Sequence, residues 1–267
     1  MVMSNQPDLF SSTDVKDEPI RVLYLDTETT GVDPETAHVC EIALLLSTYD
    51  GFRRRTAMDE TLEELVQPPV EVPPEASAVH HITNEMLASM PALKKLEGGV
   101  SDLVEKADIL CAHNISYDLG ILRRELPDVF GGKSSGSLLD SLRLSRHLWP
   151  MIPSHALQAL RYRFKLDSAL QGDAHRAMFD SMLSRALVEH VLQCGLVKAE
   201  NWMDLISYVD SPLEVKIFSF GKYRGKLVED IAVQDRDYIK WLLRQDWMPA
   251  EYPDLYHTLI SKTGSVG

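Results

Sequence analysis

The apolar positions of the chain follow two patterns, with short continuous runs first and helically spaced residues further along. Residues 21–28 and 39–46 are strand-like runs separated by the turn formers Gly31 and Pro34, and a third short strand is predicted at 64–67. A proline-rich segment follows directly, and proline cannot continue a sheet ladder, so this strand ends there. The three runs predict an antiparallel set of strands.

Strands alternate with helices in the next part of the chain. The continuous apolar run 108–112 is typical of a central strand, and another strand is predicted within 137–149. Apolar residues at helical spacing predict helices over 91–108, 115–126, 155–164 and 174–193. This order predicts an α/β domain, in which a mixed five-stranded sheet is flanked by helices.

Composition divides the chain into four parts. Residues 1–19 are polar and without period, which predicts a flexible tail. The α/β domain is predicted over 20–196, a linker over 197–212, and a small basic α+β module over 213–267. Within the module we expect a strand at 214–220, a turn at "GKYRG" and a helix at 235–245.

A chain of 267 residues, 45% of them hydrophobic, can bury a substantial core. No apolar run approaches the roughly 20 residues that span a bilayer, and the first residues lack the basic-then-apolar order of a signal peptide, so a cytoplasmic location is expected. Cys40, Cys111 and Cys194 are odd in number and far apart, which predicts core residues instead of disulfides or a zinc site.

The net charge of −13 argues against binding polyanions through the field of the whole molecule. Positive charge is nevertheless concentrated locally, because 141–166 holds five basic residues and 215–227 holds four, and neither segment has an acidic one. These segments are either solvated basic faces or nucleic-acid contacts, and charge alone does not separate the two.

Asp26 and Glu28 interrupt the first apolar run two residues apart, so on a strand their side chains project to the same side. Two close carboxylates in a partly buried site share a proton or hold a cation; the alternative is that the strand ends earlier and both are solvated. Asp118 lies four residues into a predicted helix and is alternatively a first-turn acid that interacts with the helix dipole.

Asp180 lies in the middle of the last long helix, on the same stripe as small or apolar residues, which indicates a face turned inward. An inward carboxylate requires a metal or a cationic partner. His175 lies five residues earlier, about 140° around a continuous helix, and therefore reaches the same site only from a loop or first turn.

Together these residues resemble the motifs of the DnaQ-like DEDD exonucleases, in the branch whose last motif carries histidine. The first motif, D-x-E, matches "LDTETTG"; the second, N-x-x-(F/Y)-D, matches "AHNISYD"; the third, H-x-x-x-x-D, matches His175 and Asp180. The resemblance implies a ribonuclease H-like sheet. The segment "SAVHHIT" is also similar to a family loop, with His81 where glycine is common, and "FSFGKYRGK" is similar to the C-terminal part of the exodeoxyribonuclease X branch.

The resemblance implies a 3′-5′ exodeoxyribonuclease that releases nucleoside 5′-monophosphates and serves DNA repair or replication. It implies two Mg²⁺ ions, with Mn²⁺ as a substitute, bridged by Asp26 and completed by Glu28, Asp118 and Asp180. It also implies that His175 takes the proton from the attacking water. We expect nucleic-acid contacts from the following residues: Thr27, Thr29, His80, His81, Asn114, Tyr117, Lys222, Arg224 and Lys226.

Two further hypotheses concern partners and substrates. The module's aromatic residues Phe218, Phe220 and Tyr223 either stack on a single strand or form the core of the module. In the tail, "QPDLF" resembles the motif by which bacterial proteins dock on the replicative sliding clamp, through Gln6, Leu9 and Phe10.

Three alternatives to a DNA exonuclease stay open. They are an RNA 3′-5′ exonuclease, a polymerase-proofreading subunit of the same fold, and a catalytically silent nucleic-acid-binding protein. Contacts to the ribose 2′-hydroxyl would separate RNA from DNA as the substrate. The complete set of four acids and one histidine argues against a silent binder, because a binder does not need clustered negative charge facing phosphates.

Overall fold

A computed structural model describes residues 19–132, 137–166 and 176–264. The tail motif residues Gln6, Leu9 and Phe10 and the proposed base His175 lie outside the described residues.

The described chain forms one mixed sheet of five strands in the order β3-β2-β1-β4-β5. The strands are β1 Ile20–Thr29, β2 Val39–Tyr49, β3 Arg55–Leu65, β4 Ile109–Ala112 and β5 Leu138–Asp140. β1, β2 and β3 pair antiparallel, whereas β4 runs parallel to β1 and β5 parallel to β4. The predicted mixed five-stranded sheet is therefore confirmed, with β1 at its centre.

The third strand differs from the prediction, because it begins at Arg55 and ends at Leu65 instead of spanning 64–67. β3 is an edge strand, and its residues are polar and largely exposed. The hydrogen bonds to β2 set its extent, from Tyr49↔Arg55 to Glu41↔Leu65. An edge strand buries little apolar surface, so hydrophobic patterning did not reveal it.

Thirteen α-helices and one 3₁₀ turn (Leu93–Leu96) accompany the sheet in the described ranges. The helices are α1 Pro74–His80, α2 Asn84–Leu87, α3 Glu97–Lys106, α4 Ile115–Glu125, α5 Pro127–Phe130, α6 Ser141–Leu148, α7 Leu157–Phe164, α8 Ala177–Gln193, α9 Trp202–Asp210, α10 Val228–Gln234, α11 Arg236–Leu243, α12 Met248–Glu251 and α13 Pro253–Gly264.

Helices cover both faces of β1, whose side chains alternate between two cores. Leu23 and Leu25 belong to a core that includes residues of α3 and α4. Val22 and Tyr24 belong to a second core, which includes residues of α8 and α9. Because side chains on a strand alternate, Asp26 and Glu28 continue the face that α8 covers.

The segment 197–212, predicted as a linker, contains the helix α9. Its residues Trp202, Leu205, Ile206 and Val209 are buried in the same core as Tyr24 and α8. The Trp202 ring packs edge-on against Tyr49, with centroids 4.9 Å apart. The prediction of a linker was wrong, because the short amphipathic pattern of α9 packs on the sheet.

The C-terminal module is mainly helical, built from α10 to α13 around its own core. The predicted strand 214–220 is reduced to one isolated antiparallel bridge, Ile217↔Leu227, supported by the hydrogen bond from Phe218 N to Lys226 O at 2.9 Å. Phe218 is buried, with Phe220 and Tyr223 partly buried beside it. The aromatic residues are thus the core of the module, as one of the two hypotheses holds.

The three cysteines differ in exposure. Cys40 and Cys111 are buried as expected, but Cys194 is exposed beyond the end of α8, so the prediction of a core residue there was wrong.

Within the described ranges, no helix is both long and apolar enough to cross a membrane.

Candidate active site

Three carboxylates converge at the C-terminal end of the central strand. Asp26 and Glu28 project from β1, and Asp180 reaches them from the first turn of α8. One oxygen of each lies within 4.8 Å of the others. The structure therefore brings together three of the four acids that the sequence predicted as metal ligands.

Asp180 reaches the strand end because α8 lays an inward stripe over β1. Ala177, Ser184 and Leu187 on the same stripe are buried, as the sequence predicted. Asp180 is only 8% exposed and accepts a hydrogen bond of 2.7 Å from the Nε2 of Gln158 on α7. Gln158 therefore helps to orient this carboxylate, a role that the sequence did not indicate.

Asp118 occupies a different position from the other three. It lies in the first turn of α4, and its Oδ1 accepts two hydrogen bonds from Thr27, one from the backbone N at 3.0 Å and one from Oγ1 at 2.7 Å. Thr27 alternates with Asp26 and Glu28 and points to the other side of β1. Asp118 is thus buried and hydrogen-bonded to β1, whereas Asp26, Glu28 and Asp180 lie within reach of one another.

The protonation of this site reflects burial and mutual repulsion. Burial and the charges of Asp118, Asp180 and Glu28 raise the pKa of Asp26 well above its usual value. Burial and the charge of Asp180 raise the pKa of Glu28 to about 8, and burial raises the pKa of Asp118 to about 7. Such clustered acids bind protons or a cation.

The chemistry of these donors fits a divalent metal ion. Asp26, Glu28 and Asp180 offer hard oxygen ligands without sulfur or imidazole, the type preferred by Mg²⁺ and Mn²⁺. The raised pKa values of Asp26 and Glu28 indicate that the site lacks enough positive charge of its own to ionise both.

Glu41 and Arg176 support the site and were not identified from the sequence. Glu41 faces Glu28 in the β1–β2 register and is fully buried. It accepts hydrogen bonds from Arg176 Nε at 3.0 Å, Arg176 Nη2 at 2.5 Å and the backbone N of Ala177 at 3.0 Å. The pair holds the start of α8 against the sheet. The sequence feature that could have indicated this contact is the single glutamate within the apolar run 39–46.

A cavity of about 590 Å³ opens beside the carboxylates. Glu28 and the residues Thr27–Val32 line one side, and His80, Asn114 and Tyr117 line another. Apolar side chains of Val32, Pro73, Ala76 and Val79 complete the wall. The volume falls in the roughly 300–1,000 Å³ range of small-ligand sites.

The predicted contact residues of the cavity wall are held by hydrogen bonds. Tyr117 Oη contacts Thr29 Oγ1 at 2.6 Å and donates to the carbonyl of Gly31. Asn114 adopts a left-handed backbone conformation, with φ of 80°, just before α4. Thr29, Asn114 and Tyr117 therefore line the cavity, where a bound ligand can reach them, and their contact with nucleic acid stays a prediction.

The two neighbouring histidines differ in exposure. His80 is 2% exposed, and its Nδ1 accepts a hydrogen bond of 3.1 Å from the backbone N of Ile82. His81 is exposed with φ of 62°, a left-handed conformation that glycine adopts more easily. His80 is part of the cavity wall, and stacking by either ring stays a prediction.

The basic residues of the module have mixed positions. Lys222 forms an ion pair of 3.0 Å with Asp235, whereas Arg224 and Lys226 are exposed on the same turn. In the other basic segment, Arg143 is used structurally, since it forms an ion pair with Asp254 of α13. The contact of Lys222, Arg224 and Lys226 with nucleic acid stays a prediction.

A mixed sheet with this strand order, carrying an acidic cluster where its central strand ends, defines the ribonuclease H-like class of folds. Residues 23–188 match the exonuclease family, which accounts for more than half of the chain. The chain therefore belongs to the exonuclease family, whose members depend on divalent metal ions. Residues 218–246 match the exodeoxyribonuclease X-like C-terminal family.

Curated relatives agree with this assignment. Exodeoxyribonuclease 10 of Escherichia coli K12 is 29% identical over 240 residues, which cover 88% of this chain and 95% of the relative. The DNA polymerase III subunit epsilon of Treponema pallidum is 28% identical over 185 residues, covering 67% of this chain and 81% of the relative.

Solved structures show the same fold. One is exonuclease X in complex with 5′ overhanging duplex DNA, with a TM-score of 0.52 and 27% identity, covering 70% of this chain and 99% of that one. Another is an exonuclease I, with a TM-score of 0.53 over 71% of this chain and 43% of that one; at 18% identity it supports the fold alone.

Proposed function

We propose that this exonuclease hydrolyses the terminal phosphodiester of DNA from the 3′ end and releases nucleoside 5′-monophosphates. The observation that carries the proposal is the convergence of Asp26, Glu28 and Asp180 beside a cavity large enough for a small ligand. The similarity to exodeoxyribonuclease 10, and to exonuclease X with DNA, favours DNA over RNA as the substrate.

In this proposal Asp26, Glu28 and Asp180 hold Mg²⁺, and Asp118 contributes to a second ion. When bound, two divalent ions stabilise the attacking and leaving oxygens of a phosphodiester displacement. His175, directly before Arg176 in the sequence, takes the proton of the attacking water. The apolar wall of the cavity accepts the terminal nucleoside, while Thr29, Asn114 and Tyr117 fix its orientation.

The test compares Asp180→Asn and His175→Ala with the unaltered protein on a single-stranded DNA oligonucleotide labelled at its 5′ end, in Mg²⁺. We expect stepwise shortening from the 3′ end by the unaltered protein, and a loss of about 10²–10³-fold or more in each variant. Lys106→Gln, an exposed substitution on α3, is the matched control and should leave the rate unchanged.

Three results would contradict the proposal. They are full activity in either variant, shortening from the 5′ end, or faster shortening of a matched RNA oligonucleotide. Replacing Mg²⁺ by EDTA should abolish the activity, and Mn²⁺ should restore it.

We also propose that the tail motif docks this enzyme on a sliding clamp in the cytoplasm, through Gln6, Leu9 and Phe10. The support is sequence resemblance, since an apolar pair beside a glutamine is suited to an apolar pocket. A pull-down with the purified clamp should lose the complex on Leu9→Ala/Phe10→Ala and keep it on Ser11→Ala/Ser12→Ala. Equal recovery of all forms would remove the proposal.

A further inference from the structure

A half-exposed tryptophan lies on the surface of the C-terminal module. Trp241 lies on α11 and is 51% exposed, although large aromatic side chains are usually buried. The ring of Tyr238, one turn earlier, stacks against it at 5.7 Å between centroids and 27° between planes. The pair forms an aromatic ledge, defined by Tyr238 and Trp241.

The basic turn 221–226 packs against Tyr238, one of the two residues of the aromatic ledge. Gly221 has φ of 70°, and a Cβ at this position would lie 2.7 Å from the Tyr238 hydroxyl. The Nζ of Lys222 lies 4.7 Å from the centroid of the Tyr223 ring and 6.0 Å from that of Tyr238. The turn and the aromatic ledge therefore form one continuous surface, and glycine is required where they meet.

The charge of this surface comes from the turn. Lys222, Arg224 and Lys226 are exposed there, and the segment 215–227 has no acidic residue. Asp235 beside the turn is paired with Lys222 at 3.0 Å and accepts a hydrogen bond of 2.5 Å from Tyr223 Oη. Asp237 on α11 lies about one turn before Trp241, and Arg244, directly after the end of α11, lies about one turn beyond it, so these two charges offset each other.

We infer that the aromatic ledge and the basic turn bind single-stranded DNA, with a base stacked on Trp241 and phosphates held by the turn. Stacking on aromatic rings beside cations is how proteins bind single strands without reading their sequence. A blunt duplex keeps its bases paired and stacked inside, so it has no free base to offer the ring. The inference rests on the proposed function and gives that enzyme a second contact with its substrate.

Binding is tested by fluorescence anisotropy with a labelled 20-nucleotide oligo-dT, in an Asp26→Asn background so that the strand is not degraded. We expect Trp241→Ala to weaken Kd about tenfold, since one stacked base contributes about that factor. Trp241→Phe keeps a ring and should stay within about threefold. Val233→Ala, which shortens an apolar side chain even more exposed than Trp241 on helix α10, should have no effect.

Length and strandedness sharpen the result. A trinucleotide is too short to fill the cavity and reach a second site, so Trp241→Ala should leave its Kd unchanged. An equal loss of affinity of Trp241→Ala for oligo-rU would support stacking, because thymine and uracil share the same pyrimidine ring although the sugars differ. The inference would be overturned if Trp241→Ala bound oligo-dT as tightly as its parent, or if it lost equal affinity for a blunt duplex.

A small substrate separates this inference from the proposed function. Thymidine 5′-monophosphate p-nitrophenyl ester occupies only the active site, so Trp241→Ala should hydrolyse it at the unaltered rate while showing a raised KM for oligo-dT. If the unaltered protein hydrolysed neither substrate, the proposed function would fail, and the anisotropy result for Trp241 would still decide the inference.

Discussion

Thr27 is the residue on which the position of Asp118 depends. Its backbone N and its hydroxyl both donate to the same oxygen of Asp118, at 3.0 and 2.7 Å. Burial raises the pKa of Asp118 to about 7, and the hydrogen bonds from Thr27 oppose that rise. Thr27 was predicted to contact the substrate, but in this structure its hydroxyl is engaged with a carboxylate.

Thr27→Val should therefore weaken metal binding near neutral pH. Loss of the hydroxyl raises the pKa of Asp118 further, so less of it is ionised at pH 7. We expect the Mg²⁺ concentration for half-maximal nuclease activity to rise about tenfold at pH 7, because a hydrogen bond to a charged group contributes about 1.5–3 kcal/mol. At pH 9 the difference should shrink.

Thr27→Ser is the matched control, since it keeps the hydroxyl and removes only a methyl group. It should require the same Mg²⁺ concentration as the unaltered protein at both pH values. If Thr27→Val and Thr27→Ser behaved alike, the hydroxyl would have no influence on the ionisation of Asp118.

At the scale of elements, α8 carries the site because it is fixed at two points. Its first residue is tied to the sheet by the ion pair between the buried Glu41 and the partly exposed Arg176. Two turns further on, Arg185 donates to Ser47 Oγ at 3.1 Å and pairs with Asp59 of β3 at 2.7 Å. The helix thus holds Asp180 over β1 in a fixed register.

A double-mutant cycle on Glu41→Gln and Arg176→Gln should reveal strong coupling between the two residues. Arg176→Gln leaves a fully buried carboxylate without its cation, so we expect the larger loss of stability there. Urea unfolding should give a coupling energy of about 1–3 kcal/mol. Asp180 follows in the same turn, so both single variants should also lose nuclease activity.

The exposed pair of Lys106 and Glu60 is the control for this cycle. Its side chains are 44% and 56% exposed, so its coupling should stay below about 1 kcal/mol. A coupling between Glu41 and Arg176 no larger than this would show that their ion pair does not fix α8.

The elements found from the sequence are those whose pattern records burial. β1, β2 and β4 are apolar and central, and α8 has a clear inward stripe, so each was predicted within a few residues. β3 was predicted too short and too late, and α9 was missed, because an edge strand is mostly polar and α9 is a short helix in a segment expected to be irregular. Glu41 was missed because its partner Arg176 is 135 residues away.

At the scale of the whole molecule, Arg143 joins the α/β domain to the C-terminal module. It donates to both oxygens of Asp254, at 2.8 and 2.9 Å, and to the carbonyls of Val209 and Ser211. Asp254 also accepts a hydrogen bond from the backbone N of Leu213. This contact could not be read from a basic run in the sequence, because its acidic partner lies 111 residues away.

The acidic cluster also sets how the stability of the metal-free protein depends on pH. The pKa of Glu28 is about 8 in the folded protein because of burial and the charge of Asp180. In the unfolded chain Glu28 ionises near its ordinary value of about 4.3. Between these values the folded protein holds a proton that the unfolded chain has released, so the free energy of unfolding falls as pH rises.

Glu28→Gln isolates this effect, because glutamine has the same shape and cannot ionise. Without metal, the variant and the unaltered protein should unfold at similar urea concentrations at pH 5, where Glu28 is protonated in the fold. At pH 8.5 the variant should be the more stable form by roughly 2–4 kcal/mol. Added Mg²⁺ should reverse the order at pH 8.5, since only the unaltered protein presents the ionised ligand and is stabilised by binding. Equal stability of the two forms at pH 8.5 without metal would mean that ionised Glu28 does not destabilise the metal-free fold. A failure of Mg²⁺ to reverse the order would mean that Glu28 is not a metal ligand.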